Sequence, residues 1–175
     1  MLDAAGVEYE GARPQVDEGE LKLGLSDPAE IAVRLATAKA VSIPGKWVIG
    51  SDSVVAAGGR LFNKPADREE ATEHLRFLSG KPMRLTSAVA LARGGVLDWS
   101  HAETATLHVR PLSDKFIADY LDAEWPEVSY TVGVFRLEAR GVNLFEKIEG
   151  DHFTILGMPL IPLLGALRDR GLSPR

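Results

Sequence analysis

The chain has 175 residues, of which 45% are hydrophobic and 26% are charged, and its formal net charge is −5 at pH 7. This length and apolar content suffice for one folded domain with a buried core, and they exclude a disordered or collagen-like chain. A nucleic-acid-binding protein generally carries a basic excess, which is absent here, so we expect no nucleic-acid partner.

The cysteine content and the N-terminal segment indicate the cellular compartment in which we expect the protein. The chain has no cysteine, which excludes disulfides and thiolate metal sites and suits a reducing compartment. The first ten residues have neither the basic nor the apolar region of a signal peptide. No apolar run reaches the length of a membrane-spanning helix. We therefore expect a cytoplasmic protein with no membrane partner.

Four helices are predicted after an irregular, glycine-rich segment covering residues 1–25. Asp27 and Pro28 form a helix start, and that helix is expected to end near Val41. Asp67 and Ser113 are predicted to cap the next two helices. The last predicted helix is amphipathic and covers residues 159–170.

Apolar runs between these helices predict the strands. The predicted strands are Trp47–Val55, Met83–Leu91, His101–Arg110, Val128–Phe135, Val142–Ile148 and Phe153–Leu156. Helices and strands do not alternate with the strict rhythm of a Rossmann fold. The pattern therefore predicts a mixed α/β (α+β) domain that covers residues 1–175.

Asp52 is the most informative polar residue, because it interrupts the apolar run of the first predicted strand together with Ser51 and Ser53. A buried carboxylate is costly unless it is paired, hydrogen-bonded or bound to a metal. Two interpretations stay open at this point. Asp52 is either a functional carboxylate or a structural residue that caps a nearby turn.

Asp17, Glu18 and Glu20 form an acidic cluster in the glycine-rich segment, which is predicted to be a loop. A carboxylate from this loop, placed beside Asp52, would complete an oxygen-rich site for Mg²⁺. A solvated acidic loop is the alternative.

Two lysines are candidates for binding phosphate. Lys64 lies just before a proline and a predicted helix, and Lys39 lies near the end of the first predicted helix. Both positions also suit ordinary surface lysines. The four histidines have no metal-binding spacing, and the sequence contains no G-x-S-x-G, G-x-G-x-x-G or Walker A motif.

Eight segments spread along nearly the whole chain form one ordered pattern, and they are Val16–Glu18, Arg34–Ala40, Ile49–Val55, Asn63–Pro65, Leu75–Gly80, Thr86–Leu91, Leu144–Gly150 and Leu156–Leu160. Taken in order, these segments resemble the Maf family of nucleotide pyrophosphatases. Several motifs in order are more specific than any one of them. The resemblance implies a two-lobed fold like that of inosine-triphosphate pyrophosphatases, with a mixed sheet, flanking helices and a central cleft.

The same resemblance implies hydrolysis of a nucleoside triphosphate to the monophosphate and pyrophosphate, with Mg²⁺, Mn²⁺ or Co²⁺ as cofactor. Asp52 resembles the family's general base, and Glu18 resembles its partner in the metal site. Lys39 and Lys64 resemble the phosphate-binding lysines. The expected partner is a nucleoside triphosphate, and a homodimer stays open.

Two segments resemble the branch of the family that acts on 7-methyl-GTP. They are Ser51–Ser53 and Phe135–Glu138, where the branch acting on dTTP and UTP has Ala-Asp-Thr and a Gln. The carboxylate of Glu138 suits the guanine edge, whose N1–H and N2–H₂ groups are donors, and Ser53 is a second candidate substrate contact. The 7-methyl-GTP branch usually carries Gln at the position of Ser53, so dTTP or UTP stays an alternative substrate.

The front of the chain departs from the family pattern. Family members begin with a strand and a Ser-x-Ser-x-x-Arg loop that binds phosphate, and Met1 corresponds to a position inside the helix that follows. One alternative is therefore a catalytically weak nucleotide-binding or division-linked protein. Another is an unrelated structural α/β domain.

Overall fold

The structure is a computed structural model that describes residues 1–173. Its strands are β1 (Val48–Ala57), β2 (Arg60–Phe62), β3 (Pro82–Arg93), β4 (Val96–Val109) and β5 (Phe145–Glu149). Its α-helices are α1 (Glu18–Lys22), α2 (Pro28–Val41), α3 (Arg68–Leu78), α4 (Asp114–Glu124), α5 (His152–Ile155) and α6 (Leu160–Asp169). Short 3₁₀ turns cover Asp3–Ala5, Glu127–Tyr130 and Arg140–Leu144.

The strands form one five-stranded sheet in the order β2-β1-β3-β4-β5. Each edge strand is antiparallel to its neighbour. Strand β2 pairs with β1, with Phe62 opposite Val55, and β5 pairs with β4, with Glu149 opposite Thr106. The predicted mixed α/β class is confirmed. The sheet itself is antiparallel, where the resemblance implied a mixed one.

The chain divides into two compact units, each built from several segments. The first unit contains residues 1–53, residues 86–103 and the chain from residue 151 onward, and the second contains residues 54–85 and 104–150. In the part of the chain that the structure describes, no helix is long and apolar enough to cross a membrane.

The core of the first unit is formed by α6 and β3. Leu160, Leu163 and Leu167 recur at helical spacing along α6 and are buried with Val89 and Leu91 of β3. This arrangement confirms the amphipathic helix predicted at the end of the chain.

The core of the second unit is formed by α3 and α4, which pack against each other. The buried side chains include Leu75 and Leu78 of α3 and Leu121 of α4. Tyr120 of α4 donates a hydrogen bond of 3.0 Å to the carbonyl of Val134. Asp67 and Ser113 cap these helices as predicted, because their side chains accept hydrogen bonds from backbone N–H groups of the first turn.

Two predicted strands are wrong. Residues 128–135 form the end of a 3₁₀ turn followed by irregular backbone, because Gly133 and Val134 have positive φ angles of 82° and 58°. Residues 153–156 belong mainly to α5, because Asp151 caps that helix by accepting from two backbone N–H groups. The predicted strand at 142–148 is right only from Phe145 onward, since a 3₁₀ turn precedes it.

The prediction that the acidic cluster lies in a loop is also wrong. Asp17 accepts hydrogen bonds from the backbone N–H groups of Gly19 and Glu20, at 2.9 and 3.1 Å. This capping interaction starts α1, so that Glu18 is the first residue of a helix. Helix α1 packs against α2. Glu18 therefore lies on a helix whose position is set by α2.

Candidate active site

The first unit brings three of the predicted residues together around one ammonium group. Lys39 Nζ lies 2.5 Å from Asp52 Oδ1 and 2.9 Å from Glu18 Oε1. The side chains of Asp52 and Lys39 are 15% and 18% exposed, whereas that of Glu18 is 41% exposed. A half-buried lysine therefore bridges two carboxylates, one near the protein interior and one near the solvent.

Gly50 explains why Lys39 and Asp52 meet. A Cβ atom at residue 50 would lie 2.2 Å from the carbonyl oxygen of Ala36 and 2.6 Å from the backbone nitrogen of Ala40. Only glycine therefore permits α2 to lie this close to β1. Asp52 follows Gly50 on the strand and Lys39 precedes Ala40 on the helix, so the close approach places the two side chains within contact distance.

The charges of this cluster perturb one another. Burial raises the pKa of Asp52 above its ordinary value, and the hydrogen bond from Lys39 offsets this only in part. Burial also acts to lower the pKa of Lys39, but the hydrogen bonds to Asp52 and Glu18 prevail and raise it. The ammonium therefore stays charged at neutral pH beside a carboxylate that is more basic than usual.

The donor atoms of the site fit a divalent cation that arrives with a substrate. Among residues 1–173, no group of three or more His, Asp or Glu side chains could hold a metal ion by itself. Glu18 and Asp52 supply two hard carboxylate ligands. Mg²⁺ is commonly bound through one or two carboxylates together with substrate phosphates and water, rather than by a cage made only of protein. The residues present fit that mode of binding.

Two serines flank Asp52 on β1, and both direct their hydroxyl groups into the first unit. Ser51 Oγ lies 2.9 Å from the carbonyl oxygen of Ala88 and 2.7 Å from that of Gly157. Ser53 Oγ lies 2.7 Å from Ser87 Oγ on β3. These contacts attach the strand segment that carries Asp52 to β3 and to the turn after α5.

Sequence reasoning missed Ser87 and Thr154 as parts of the site. Ser87 donates a hydrogen bond of 2.7 Å to the carbonyl oxygen of Thr154, and both residues are fully buried. The signal for Ser87 was its position, next to Thr86, at the start of the apolar run 88–91. Residue spacing gave no signal for its contact with Thr154, because 67 residues separate the two.

A cavity of about 690 Å³ in the first unit adjoins the candidate site. Lys39 and Ser51 contribute polar atoms to its wall, and Trp47, Leu91 and Met158 contribute apolar ones. Its volume lies in the range of cavities that bind small molecules.

Lys64 and Glu138, the other predicted site residues, belong to the second unit. Lys64 is exposed and follows the edge strand β2. Glu138 is also exposed, and its Oε1 atom lies 3.7 Å from the guanidinium of Arg136. Arg136 in turn lies 3.8 Å from Glu127. Glu138 thus belongs to a small exposed cluster of charges in its own unit.

These observations define a mixed α/β protein with a lysine-bridged pair of carboxylates in its first unit. Comparison with known proteins identifies the family to which this protein belongs. The family of Maf-like proteins matches residues 1–170. This chain therefore belongs to the Maf family.

Several relatives with assigned names align with almost the entire chain. A nucleoside triphosphate pyrophosphatase of Sphingopyxis alaskensis is 46% identical over 184 residues, which cover 100% of this chain and 93% of that protein. A protein of the same name from Nitrobacter hamburgensis is 47% identical over 98% of this chain and 88% of its own length. A 7-methyl-GTP pyrophosphatase of Rhizobium meliloti is 43% identical over 98% of this chain and 90% of its own length.

Proposed function

We propose that this chain hydrolyses a nucleoside triphosphate to the monophosphate and pyrophosphate with the help of a divalent cation. The observation that carries the proposal is the contact of Lys39 with both Asp52 and Glu18. Relatives that are 43 to 47% identical bear the names of nucleotide pyrophosphatases, which supports the same reaction here.

Asp52 is the proposed general base. Its carboxylate is partly buried and its pKa is raised, so it accepts a proton more readily than an exposed aspartate. We propose that it takes a proton from the water that attacks the phosphoryl group. Its neighbours Ser51 and Ser53 are hydrogen-bonded to β3, and these contacts hold its strand in a fixed position.

Glu18 and Asp52 are the proposed ligands of the divalent cation, which when bound polarises the phosphoryl oxygens and offsets their negative charge. Lys39 is the proposed phosphate ligand in the first unit. Its ammonium already lies beside both carboxylates, and it can turn from them toward a triphosphate. For Lys64, an exposed lysine of the second unit, we propose a second phosphate contact.

The proposed substrate is 7-methyl-GTP or a related purine nucleotide. One group of relatives carries that name, and Glu138 offers a carboxylate that accepts from two guanine donors. Ser53 is the proposed additional contact with the nucleotide.

The experiment is a measurement of pyrophosphate release by the purified chain from 7-methyl-GTP, GTP, dTTP, UTP and CTP, with Mg²⁺ or Mn²⁺. We expect release from at least one nucleotide, with 7-methyl-GTP as the best substrate. Asp52→Asn should lower kcat by about 10³-fold or more, because the base and a metal ligand are both impaired.

Asp27→Asn is the matched control, because it makes the same chemical change at the N-cap of α2, where asparagine caps equally well. We expect its kcat to equal that of the wild type. Near-normal turnover by Asp52→Asn would remove the assignment of the base. A folded wild-type chain that hydrolyses none of the five nucleotides would contradict the proposed reaction.

A further inference from the structure

A chain of hydroxyl groups connects Ser53 to the interior of the first unit. Ser53 Oγ is 2.7 Å from Ser87 Oγ, and Ser87 Oγ is 2.7 Å from the carbonyl oxygen of Thr154. A serine hydroxyl has one hydrogen, and a carbonyl oxygen can only accept. The hydrogen of Ser87 is therefore committed to Thr154, and Ser53 must be the donor in its hydrogen bond with Ser87.

The far end of this chain is held in place. Thr154 Oγ1 donates to Glu103 Oε2 at 2.7 Å, and the backbone N–H of Thr154 donates to Asp151 Oδ1 at 3.0 Å. Ser87 and Thr154 are both fully buried. The carbonyl oxygen of Thr154 also accepts from the backbone N–H of Gly157 at 3.1 Å, so it keeps a donor in either direction. Turning the hydrogen of Ser87 toward Ser53 would, however, leave two oxygen atoms 2.7 Å apart with no hydrogen between them, which is repulsive. The direction of the hydrogen bonds is thus fixed from the interior outward.

This direction determines what Ser53 can offer to a ligand. Ser53 is only partly buried, and its hydrogen points toward Ser87, so its remaining capacity is that of an acceptor. A Cβ atom at residue 157 would lie 3.5 Å from Ser53 Oγ, but residue 157 is glycine, with φ of +103°. No side chain of residue 157 therefore covers the hydroxyl of Ser53.

We propose that Ser87 is a positioning residue that sets substrate specificity, because it fixes Ser53 as a hydrogen-bond acceptor. The site then selects a nucleotide that presents an N–H or O–H donor to Ser53 and rejects one that presents an acceptor at the same place. This inference rests on the proposed function, in which Ser53 contacts the nucleotide. The donor can belong to the base or to the ribose, and the two sources are separated by experiment.

The experiment compares kcat/KM for GTP with kcat/KM for two analogues. XTP carries a carbonyl where GTP carries its 2-amino group, and 2′-fluoro-2′-deoxy-GTP carries an acceptor where GTP carries its 2′-hydroxyl. If Ser53 accepts from the base or the ribose, the wild type should prefer GTP over the corresponding analogue by about tenfold or more. Ser53→Ala should lower that ratio by about tenfold, to the preference that the remaining acceptors such as Glu138 supply.

The decisive variant is Ser87→Ala, which frees the hydrogen of Ser53 to point at the ligand. We expect kcat/KM for the acceptor analogue to rise, so that the preference for GTP falls by about threefold or more relative to the wild type. Ser87→Thr keeps a hydroxyl at residue 87 and should restore the wild-type ratio. A merely structural role of Ser87 would lower kcat/KM for both ligands and leave their ratio unchanged.

The same ratios are also measured as dissociation constants in the Asp52→Asn background, which separates this inference from the proposed reaction. If the ratio of dissociation constants changes with Ser87→Ala while the wild type shows no turnover, the reaction is wrong and the role of Ser87 stands. The inference is overturned if Ser87→Ala keeps the wild-type ratio, or if the wild type shows no preference for GTP over either analogue.

Discussion

The two units of the molecule differ in how exposed their ion pairs are. In the first unit, Asp52 and Lys39 are 15% and 18% exposed and contact each other in a partly buried site. In the second unit, ion pairs such as Lys115 with Asp119 lie on the surface, with side chains 83% and 61% exposed. Exposed pairs of this kind contribute little to stability, whereas burying a pair costs desolvation energy. Burying Asp52 and Lys39 in the first unit therefore costs desolvation energy that packing does not require. A costly, partly buried ion pair of this kind is expected at a functional site.

The second unit also buries titratable groups, and His74 is the buried group whose pKa is lowered there. His74 is fully buried against the ring of Phe62, and burial lowers its pKa. Its neutral form is compatible with an apolar core, so the second unit can be stable without a buried ion pair. Stability and chemistry therefore depend on different residues of this molecule, and the two properties should change separately in the variants that follow.

The largest effect is expected at Gly50, because the close packing of α2 on β1 at this residue also places Lys39 beside Asp52. Gly50→Ala places a Cβ atom 2.2 Å from the carbonyl oxygen of Ala36, so α2 must move away from β1. We expect the free energy of unfolding to fall by about 3 kcal/mol or more, as in severe overpacking. Urea denaturation followed by circular dichroism measures this loss.

Gly11→Ala is the control for that variant, because nothing lies within 4 Å of a Cβ atom at residue 11 and its φ angle is not positive. Its stability should equal that of the wild type. A loss below about 1 kcal/mol for Gly50→Ala would show that α2 tolerates displacement, and the contact of Lys39 with Asp52 would then need another explanation.

A second variant tests the bridging lysine. Lys39→Met removes the cation that contacts Asp52 and Glu18, so a divalent metal no longer competes with an ammonium for these carboxylates. We expect kcat/KM for the best nucleotide to fall by about 100-fold, because a phosphate ligand is lost. Binding of Mn²⁺ without nucleotide should become tighter, which calorimetric titration measures.

Lys115→Met is the matched control in the second unit, since it breaks an exposed pair with Asp119 and should change neither quantity. Weaker binding of Mn²⁺ by Lys39→Met than by the wild type would contradict the assignment of Glu18 and Asp52 as metal ligands.

A third variant addresses the base preference that we assign to the second unit. Glu138→Gln replaces an acceptor of two guanine donors with an amide, so kcat/KM for 7-methyl-GTP relative to that for UTP should fall by about tenfold. Glu127→Gln is the control, because Glu127 contacts the same Arg136 and is similarly exposed. Equal ratios for Glu138→Gln and the wild type would exclude Glu138 from base selection.

Local signals in the sequence predicted the elements that carry the site, but not how the site is assembled. The start of α2 followed from Asp27 and Pro28, and the strand around Asp52 followed from its apolar neighbours. The contact of Lys39 with Asp52 depends on how closely α2 packs against β1, which spacing does not encode.

The errors have the same physical origin. Residues 153–156 form a short apolar run, and such a run is compatible with either a strand or a helix. The side chain of Asp151 decides the matter, because it caps α5 and fixes Thr154. The hydrogen bond from Ser87 to Thr154 joins residues distant in the chain, so only the folded structure could reveal it.

The smallest expected effect concerns the second unit and its buried histidine. Burial lowers the pKa of His74 below its ordinary value of 6.5, although Glu70 offsets part of this shift. As the pH falls below 6.5, the unfolded chain therefore binds a proton at this residue before the folded chain does. The unfolded state is then favoured, so stability is present above that pH and is lost as the pH falls toward the lowered pKa.

His74→Gln removes this titration. We expect the decrease in Tm between about pH 7 and pH 5 to be smaller in the variant than in the wild type by about 2 °C. His152→Gln is the control, because His152 is an exposed histidine of the first unit. Thermal unfolding at several pH values gives the slopes. Parallel curves of Tm against pH for the wild type and His74→Gln would show that the stability of the second unit does not depend on a neutral His74. The two units would then not differ in how a buried titratable group affects stability.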